Sequence, residues 1–398
     1  MSRGSIKHWT APLDNQCARA ASGATIELGE EAALLDFESG GFGHGSREIV
    51  ESVLAQIRRN PLSTRHFLSL PLARLSRRLA SICPSGGDLQ VSYLCNSGSE
   101  AVEGALKLAC GFRRERRRFI ALEGAYHGST LGALSVCGLR DMRRPFLRLP
   151  LEASLVSDVS ALPERIDEET AAVIVEPWPG GRGRPVPQAG WMRRVAERCR
   201  ETGTLLVADE TRTGLGRSGT MFAVDQEEVV PDVLVVGGSL GGGVLPVAGY
   251  VASRRVNDRV YARRDPTLHA SATGGNPAAC AAGLATIDLL ERADLLSSVR
   301  ERSALLEKGL TEIAARHASI VADIRGVGLS FWIDLRGPPL ARKLACRAWE
   351  GGLALGSPTS SDDVSLRVFP PLLVAAEEIS RGLEILEATL DKSEAAAA

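Results

Sequence analysis

Three short segments carry residue types that could do chemistry together. Ser97-Gly98-Ser99-Glu100 follows an apolar run and opens a helical pattern, with Ser97 and Glu100 at the spacing of a capping box. Such a turn offers free N–H groups and hydroxyls at the positive end of a helix, which suits a phosphate. Tyr126-His127-Gly128 places a ring that can stack on a flat heterocycle beside an imidazole that can hydrogen-bond nearby. The apolar run 204–208 ends in Asp209-Glu210, and a carboxylate at the ligand end of a sheet can hold a protonated ring nitrogen through a charge-assisted bond of about 1.5–3 kcal/mol. Each also has an ordinary reading: a helix cap, a packed aromatic beside a satisfied histidine, a cap or a metal ligand. The glycine-rich loops 212–219 and 241–243 add little by themselves.

What positions these segments is an alternation of apolar runs and amphipathic stretches. Strands are expected at 91–95, 119–122, 171–175, 204–208, 233–236 and 248–252, interleaved with helices at 100–113 and 191–200. Runs this apolar predict an α/β protein with a mostly parallel sheet between helices, whose ligands sit beyond the strands' carboxyl ends. After Asn276-Pro277 the pattern turns to long helices (278–291, 297–317), an alternating segment (320–335) and a last helix (376–390), as in a smaller α+β domain. The division expected is an N-terminal segment 1–66 packing with the small domain, a large sheet domain 67–277 and a small domain 278–398.

Composition excludes several classes of partner. A net charge of −1 with both signs interspersed gives no electrostatic footprint for nucleic acid. No stretch reaches the roughly 18 apolar residues of a membrane span, and the start lacks the apolar region of a leader. The 8 cysteines are dispersed without metal-binding spacing, so no metal is expected and a reducing, cytoplasmic setting is.

Taken in order, the segments resemble the class III aminotransferases, the pyridoxal-phosphate family of the ornithine, acetylornithine and 4-aminobutyrate enzymes. The resemblance runs from about residue 35 to 385 and rests on Asn96-Ser97-Gly98-Ser99-Glu100, Tyr126-His127-Gly128, Val175-Glu176-Pro177, Ala208-Asp209-Glu210 with Thr213-Gly214-Leu215-Gly216-Arg217, Pro231-Asp232, Gly274-Gly275-Asn276-Pro277, and Leu366-Arg367 with Pro370-Pro371-Leu372. It implies a fold-type I transferase working as a homodimer on a small-molecule substrate. It also implies that Ser97, Gly98 and Ser99 hold the cofactor phosphate, Tyr126 stacks on the ring with His127 beside it, Asp209 pairs with the ring nitrogen, Arg212 and Thr273 complete the cofactor site, and Arg367 takes a substrate carboxylate.

The departures from the family fall in one pocket. No lysine occurs between Lys107 and Lys308, and Gly238 stands where the family's Schiff-base lysine belongs. Arg212 replaces a glutamine that commonly reaches the cofactor, Gly181 replaces a glutamate that gates the carboxylate arginine, and Ala272 replaces a threonine, with Thr273 adjacent. Losing the lysine removes both covalent capture and a general base worth about 10² to 10⁴ in rate. The expectation is pyridoxal or pyridoxamine phosphate held noncovalently, with lysine-independent chemistry on an amino-acid or keto-acid substrate. His127 and His269 are the candidate replacement bases beside Asp209, because imidazole titrates near neutrality. Two other readings stay open. One is a noncatalytic subunit that completes the site of a lysine-bearing paralogue in a heterodimer. The other is a fold reused without cofactor, with Arg182, Arg212 and Arg367 binding an anionic substrate.

Overall fold

Apolar runs of four to seven residues, too short for buried helices and rich in valine and leucine, assemble the central sheet of this chain. The computed structural model describes residues 18–29, 32–60, 69–86, 88–146, 148–178, 188–262, 268–292, 294–356 and 363–395. Its strands in chain order are β1 (Ala18–Ser22), β2 (Thr25–Leu28), β3 (Ala32–Phe37), β4 (Leu89–Cys95), β5 (Arg118–Leu122), β6 (Glu152–Val156), β7 (Thr170–Val175), β8 (Leu205–Glu210), β9 (Val233–Val236), β10 (Ala248–Ser253), β11 (Val321–Val327), β12 (Ser330–Leu335), β13 (Leu353–Leu355) and β14 (Ser365–Val368).

Seven strands form the large sheet in the order β4-β10-β9-β8-β7-β5-β6. Every recorded pairing in it is parallel except those of β10, which runs antiparallel to β4 and β9. Strands β7 to β10 are buried at every residue, as strands with both faces covered must be. Helices Gly98–Phe112 and Trp191–Thr202 follow β4 and β7, so the turns at the carboxyl ends of β4, β5, β7, β8 and β9 gather on one rim.

The other sheets are antiparallel or mixed. β11, β12 and β14 make a three-stranded sheet, and β1-β2-β3-β13 joins the N-terminal strands to the C-terminal part through the parallel pair β3–β13. Helices Leu295–Arg316 and Ala376–Ala395 pack on this side, with Leu306, Leu310, Ile379 and Leu386 buried in the core they share with the large sheet. The α/β architecture with a mostly parallel sheet is therefore as the sequence led one to expect. Among the described residues no helix is long and apolar enough to cross a membrane.

Candidate active site

Asp209 is near the end of β8, and its side chain has no solvent exposure. One carboxylate oxygen meets His127 Nδ1 at 2.7 Å, and the other accepts the Thr211 N–H at 3.1 Å. An acceptor there requires Nδ1 to carry the hydrogen. Nε2 of the same ring is buried and has no hydrogen-bond partner among the described residues, an uncompensated state that buried polar atoms avoid unless something else meets them.

The turn bearing His127 closes on the start of helix Gly98–Phe112. Gly128 sits at φ +120°, and a Cβ there would fall 2.6 Å from Ser99 Oγ, so only glycine lets Ser129 N–H reach that oxygen at 3.2 Å. Ser97 caps the helix, accepting the Glu100 N–H at 3.3 Å. The expected capping box is half formed: the Glu100 carboxylate reaches back to the Asn96 backbone and side-chain amides, both at 3.1 Å, and not to Ser97. Asn96 offers two donors to one oxygen, which outcompetes the single amide of the cap. Asn96 also bonds Ser271 Oγ at 3.2 Å and accepts from Thr273 Oγ1 at 3.1 Å, drawing the 271–273 loop to the helix start.

Tyr126 lies half-buried on this rim, its backbone N–H donating to Glu176 Oε2 at 3.2 Å. Burial raises its phenol above the ordinary value, and a hydrogen bond with Ser129 opposes that. Glu176, which the sequence marked without a role, faces Arg212 Nε at 3.5 Å through its other oxygen. Arg367 lies on β14 directly opposite Trp332 on β12. Its guanidinium is held below the usual arginine value, first by burial and then by Arg212.

The rim therefore brings together Ser97, Gly98, Ser99, Tyr126, His127, Asp209, Arg212 and, through Asn96, Thr273. It does not bring His269 to Asp209. That ring rests on Tyr93 with centroids 4.4 Å apart, beside Gly104, and burial followed by the neighbouring Lys107 lowers its basicity. Gly181 and Arg182 lie outside the described residues. At Gly238 an added Cβ would meet no atom within 4 Å.

Glu210, next to Asp209, faces away into the core. It accepts from Thr213 Oγ1 and from Val224 N–H at 2.9 Å, and thereby folds the turn that carries Arg212. Burial pushes its pKa from 4.5 up to about 7. Because the folded value exceeds the unfolded one, the native state retains a proton that the unfolded chain releases, and stability falls as pH rises from about 4.5 to about 7. Glu210→Gln should remove that slope: its urea midpoint should match wild type near pH 4.5 and exceed it by the equivalent of roughly 2–3 kcal/mol at pH 8. Parallel pH profiles for the two proteins would refute this.

These residues fit a flat, phosphate-bearing heterocycle with a basic ring nitrogen. They supply the opening amides of a 15-residue helix, which lack intrahelical acceptors, then a half-buried phenol ring and a buried acceptor carboxylate.

Comparison with known proteins agrees with this chemistry. The Aminotransferase class-III family model matches residues 7–390. Putrescine aminotransferase of Pectobacterium atrosepticum is 34% identical over 360 residues, 88% of this chain and 76% of that protein. Ornithine aminotransferase of Toxoplasma gondii, in a structure with partial occupancy of PLP at the active site, aligns with TM-score 0.85 and 27% identity over 96% of this chain and 92% of its own. Adenosylmethionine-8-amino-7-oxononanoate aminotransferase of Methanocaldococcus jannaschii aligns with TM-score 0.88 and 25% identity over 97% of each chain.

Proposed function

This chain belongs to the class-III aminotransferase family, and we propose that it binds pyridoxal or pyridoxamine phosphate without a covalent link and acts on an amino-acid or keto-acid substrate by lysine-independent chemistry. Class III aminotransferases use pyridoxal phosphate, which when bound supplies an electron sink for bonds at the carbon bearing the substrate amine. The observation that carries the reading is the conjunction at the rim. The His127–Asp209 pair is intact and fully buried, while Gly238, in the loop after the neighbouring strand β9, opens onto empty space.

Each residue has a task in this reading. The amides of Gly98 and Ser99 and the hydroxyls of Ser97 and Ser99 hold the phosphate, with Thr273 steadying that turn through Asn96. Tyr126 covers the ring face. Asp209 holds a proton at the ring nitrogen, and His127 fixes the carboxylate's orientation, so His127 serves position more than proton transfer. Arg367 receives a substrate carboxylate, and the protein works as a homodimer.

The test uses the purified full chain with added pyridoxal phosphate. Wild type should show cofactor absorbance that gel filtration removes, and borohydride should leave the protein mass unchanged. Gly238→Lys, which meets no steric obstacle at Cβ, should gain one reduced cofactor in mass after borohydride. Absence of any cofactor absorbance in wild type would overturn the proposal. Turnover that appears only on mixing with a lysine-bearing paralogue would favour the silent-subunit reading instead.

A further inference from the structure

Arg212, in the turn after Asp209, brings a second positive charge within reach of Arg367, more than one substrate carboxylate calls for. Arg367 faces Trp332 across the β12–β14 pair, and Phe369 follows two residues later with its ring edge-on to Trp332 at 4.8 Å. Trp178 stacks on Trp332 at 5.7 Å with the planes 5° apart. Over the other end of this aromatic wall lies Arg212, its Cζ 5.9 Å from the Phe369 centroid. Two guanidinium groups from the large and small sheets thus border one platform. They are close enough for the charge of Arg212 to act on Arg367.

Among the described residues neither guanidinium has its hydrogen-bonding capacity filled. Arg367 Nε is buried and has no hydrogen-bond partner among the described residues. Arg212 donates no hydrogen bond among the described residues. Its ionic neighbour, Glu176 at 3.5 Å, already accepts from Tyr126. Two acids lie within electrostatic reach of Arg367: Glu38, whose carboxyl burial raises while Arg367 opposes that, and Asp363, which accepts the Ser365 N–H at 3.1 Å.

We infer that Arg212 and Arg367 form a paired-cation subsite, and that the substrate carries two anionic groups, one for each guanidinium. Arg212 then sets specificity. A diamine, the substrate named for the Pectobacterium relative, would place positive charge against two cations, an arrangement that discriminates strongly by repulsion. The inference takes its substrate orientation from the cofactor reading above, but the anion subsite can be measured apart from cofactor.

The experiment is isothermal calorimetry on the full chain, with added pyridoxal phosphate, titrating glutarate, butyrate and putrescine into wild type, Arg212→Gln, Arg212→Lys and Arg367→Gln. Cofactor absorbance is recorded on the same samples. Wild type should bind glutarate at least about tenfold tighter than butyrate and give no heat with putrescine. Arg212→Gln should lose about 10- to 100-fold in glutarate affinity with less than about threefold change for butyrate, and Arg212→Lys should fall between. Arg367→Gln should weaken both acids. Glutarate affinity unchanged in Arg212→Gln, or putrescine binding as tight as glutarate, overturns the inference even when cofactor absorbance is present. Loss of absorbance alongside Arg212-dependent glutarate binding sinks the cofactor reading and leaves the subsite standing.

Discussion

Replacing Arg217 by methionine is expected to lower the stability of the chain by about 3–5 kcal/mol, read as a shift of the urea midpoint at neutral pH. Arg217 is 2% exposed and sits in the same turn as Arg212. Its guanidinium donates to four backbone carbonyls: Leu329 at 3.0 Å, Gly41 at 2.7 Å, and those of Pro370 and Gly40. One side chain therefore ties the large-sheet rim to the turn between β11 and β12, to the segment after β14 and to the loop after β3. Burial lowers its pKa to about 10, and the Asp36 carboxylate opposes that shift. Methionine fills similar volume but leaves several buried carbonyls short of a donor, each costing about 1–3 kcal/mol. Arg217→Lys should recover only part of the loss, because three donors on one nitrogen cannot reach carbonyls that converge from three segments. The segments that would loosen include Phe369 and Glu38. The variant should therefore weaken glutarate binding more than cofactor binding, and a urea midpoint equal to wild type would refute the account.

The large sheet is readable in the sequence because its strands are continuous apolar runs: 233–236 is expected and found at the same bounds, and 171–175 and 119–122 differ by one residue. β6 is not readable for the opposite reason. It is an edge strand whose first four residues alternate between exposed and half-exposed before the buried Val156, so Glu152–Val156 reads as loop. β1 is small-residue and exposed, and β13 is three residues long, so neither announces itself, and the pairing of β3 with β13 across more than 300 positions carries no local signal. The helix Arg47–Arg59 carries Ile49, Val53 and Ile57 at four-residue spacing, an amphipathic stripe legible in the sequence although no helix is among the expectations there. At the site, Tyr126, His127 and Asp209 stand out one by one, but the bond between His127 and Asp209 joins residues 82 apart and exists only because β5 and β8 end on one rim. The same holds for Arg212 above Phe369. Glu176 could have been found from its place at the end of β7, next to the strand that ends in Asp209. His269 shows the reverse case. Motif order sets it near the pocket, while the fold tilts it against Tyr93 and beside Gly104 of the 98–112 helix.

Asp209→Ala should reduce affinity for pyridoxal phosphate by about 10- to 100-fold and destabilise the chain by about 2–4 kcal/mol, two effects with separate causes. The affinity loss follows from removing the charged acceptor that holds a proton on the ring nitrogen, worth about 1.5–3 kcal/mol. The stability loss follows from stranding His127, whose Nδ1 would join Nε2 as a buried nitrogen without a partner. Asp209→Asn largely separates the two, since its side-chain oxygen still accepts from His127 while the negative charge is gone and only the Thr211 N–H loses its acceptor. It should keep most of the stability and lose most of the cofactor affinity. Spectroscopic titration with pyridoxal phosphate, paired with thermal unfolding of the unloaded protein, reads both quantities on the same preparations. If Asp209→Asn bound cofactor as tightly as wild type, the carboxylate would be a purely structural anchor for His127, and the ring-nitrogen role assigned to it would fall. If instead both variants lost affinity together while Asp209→Asn kept its stability, charge at this one buried position would be what retains a cofactor that has no lysine to hold it.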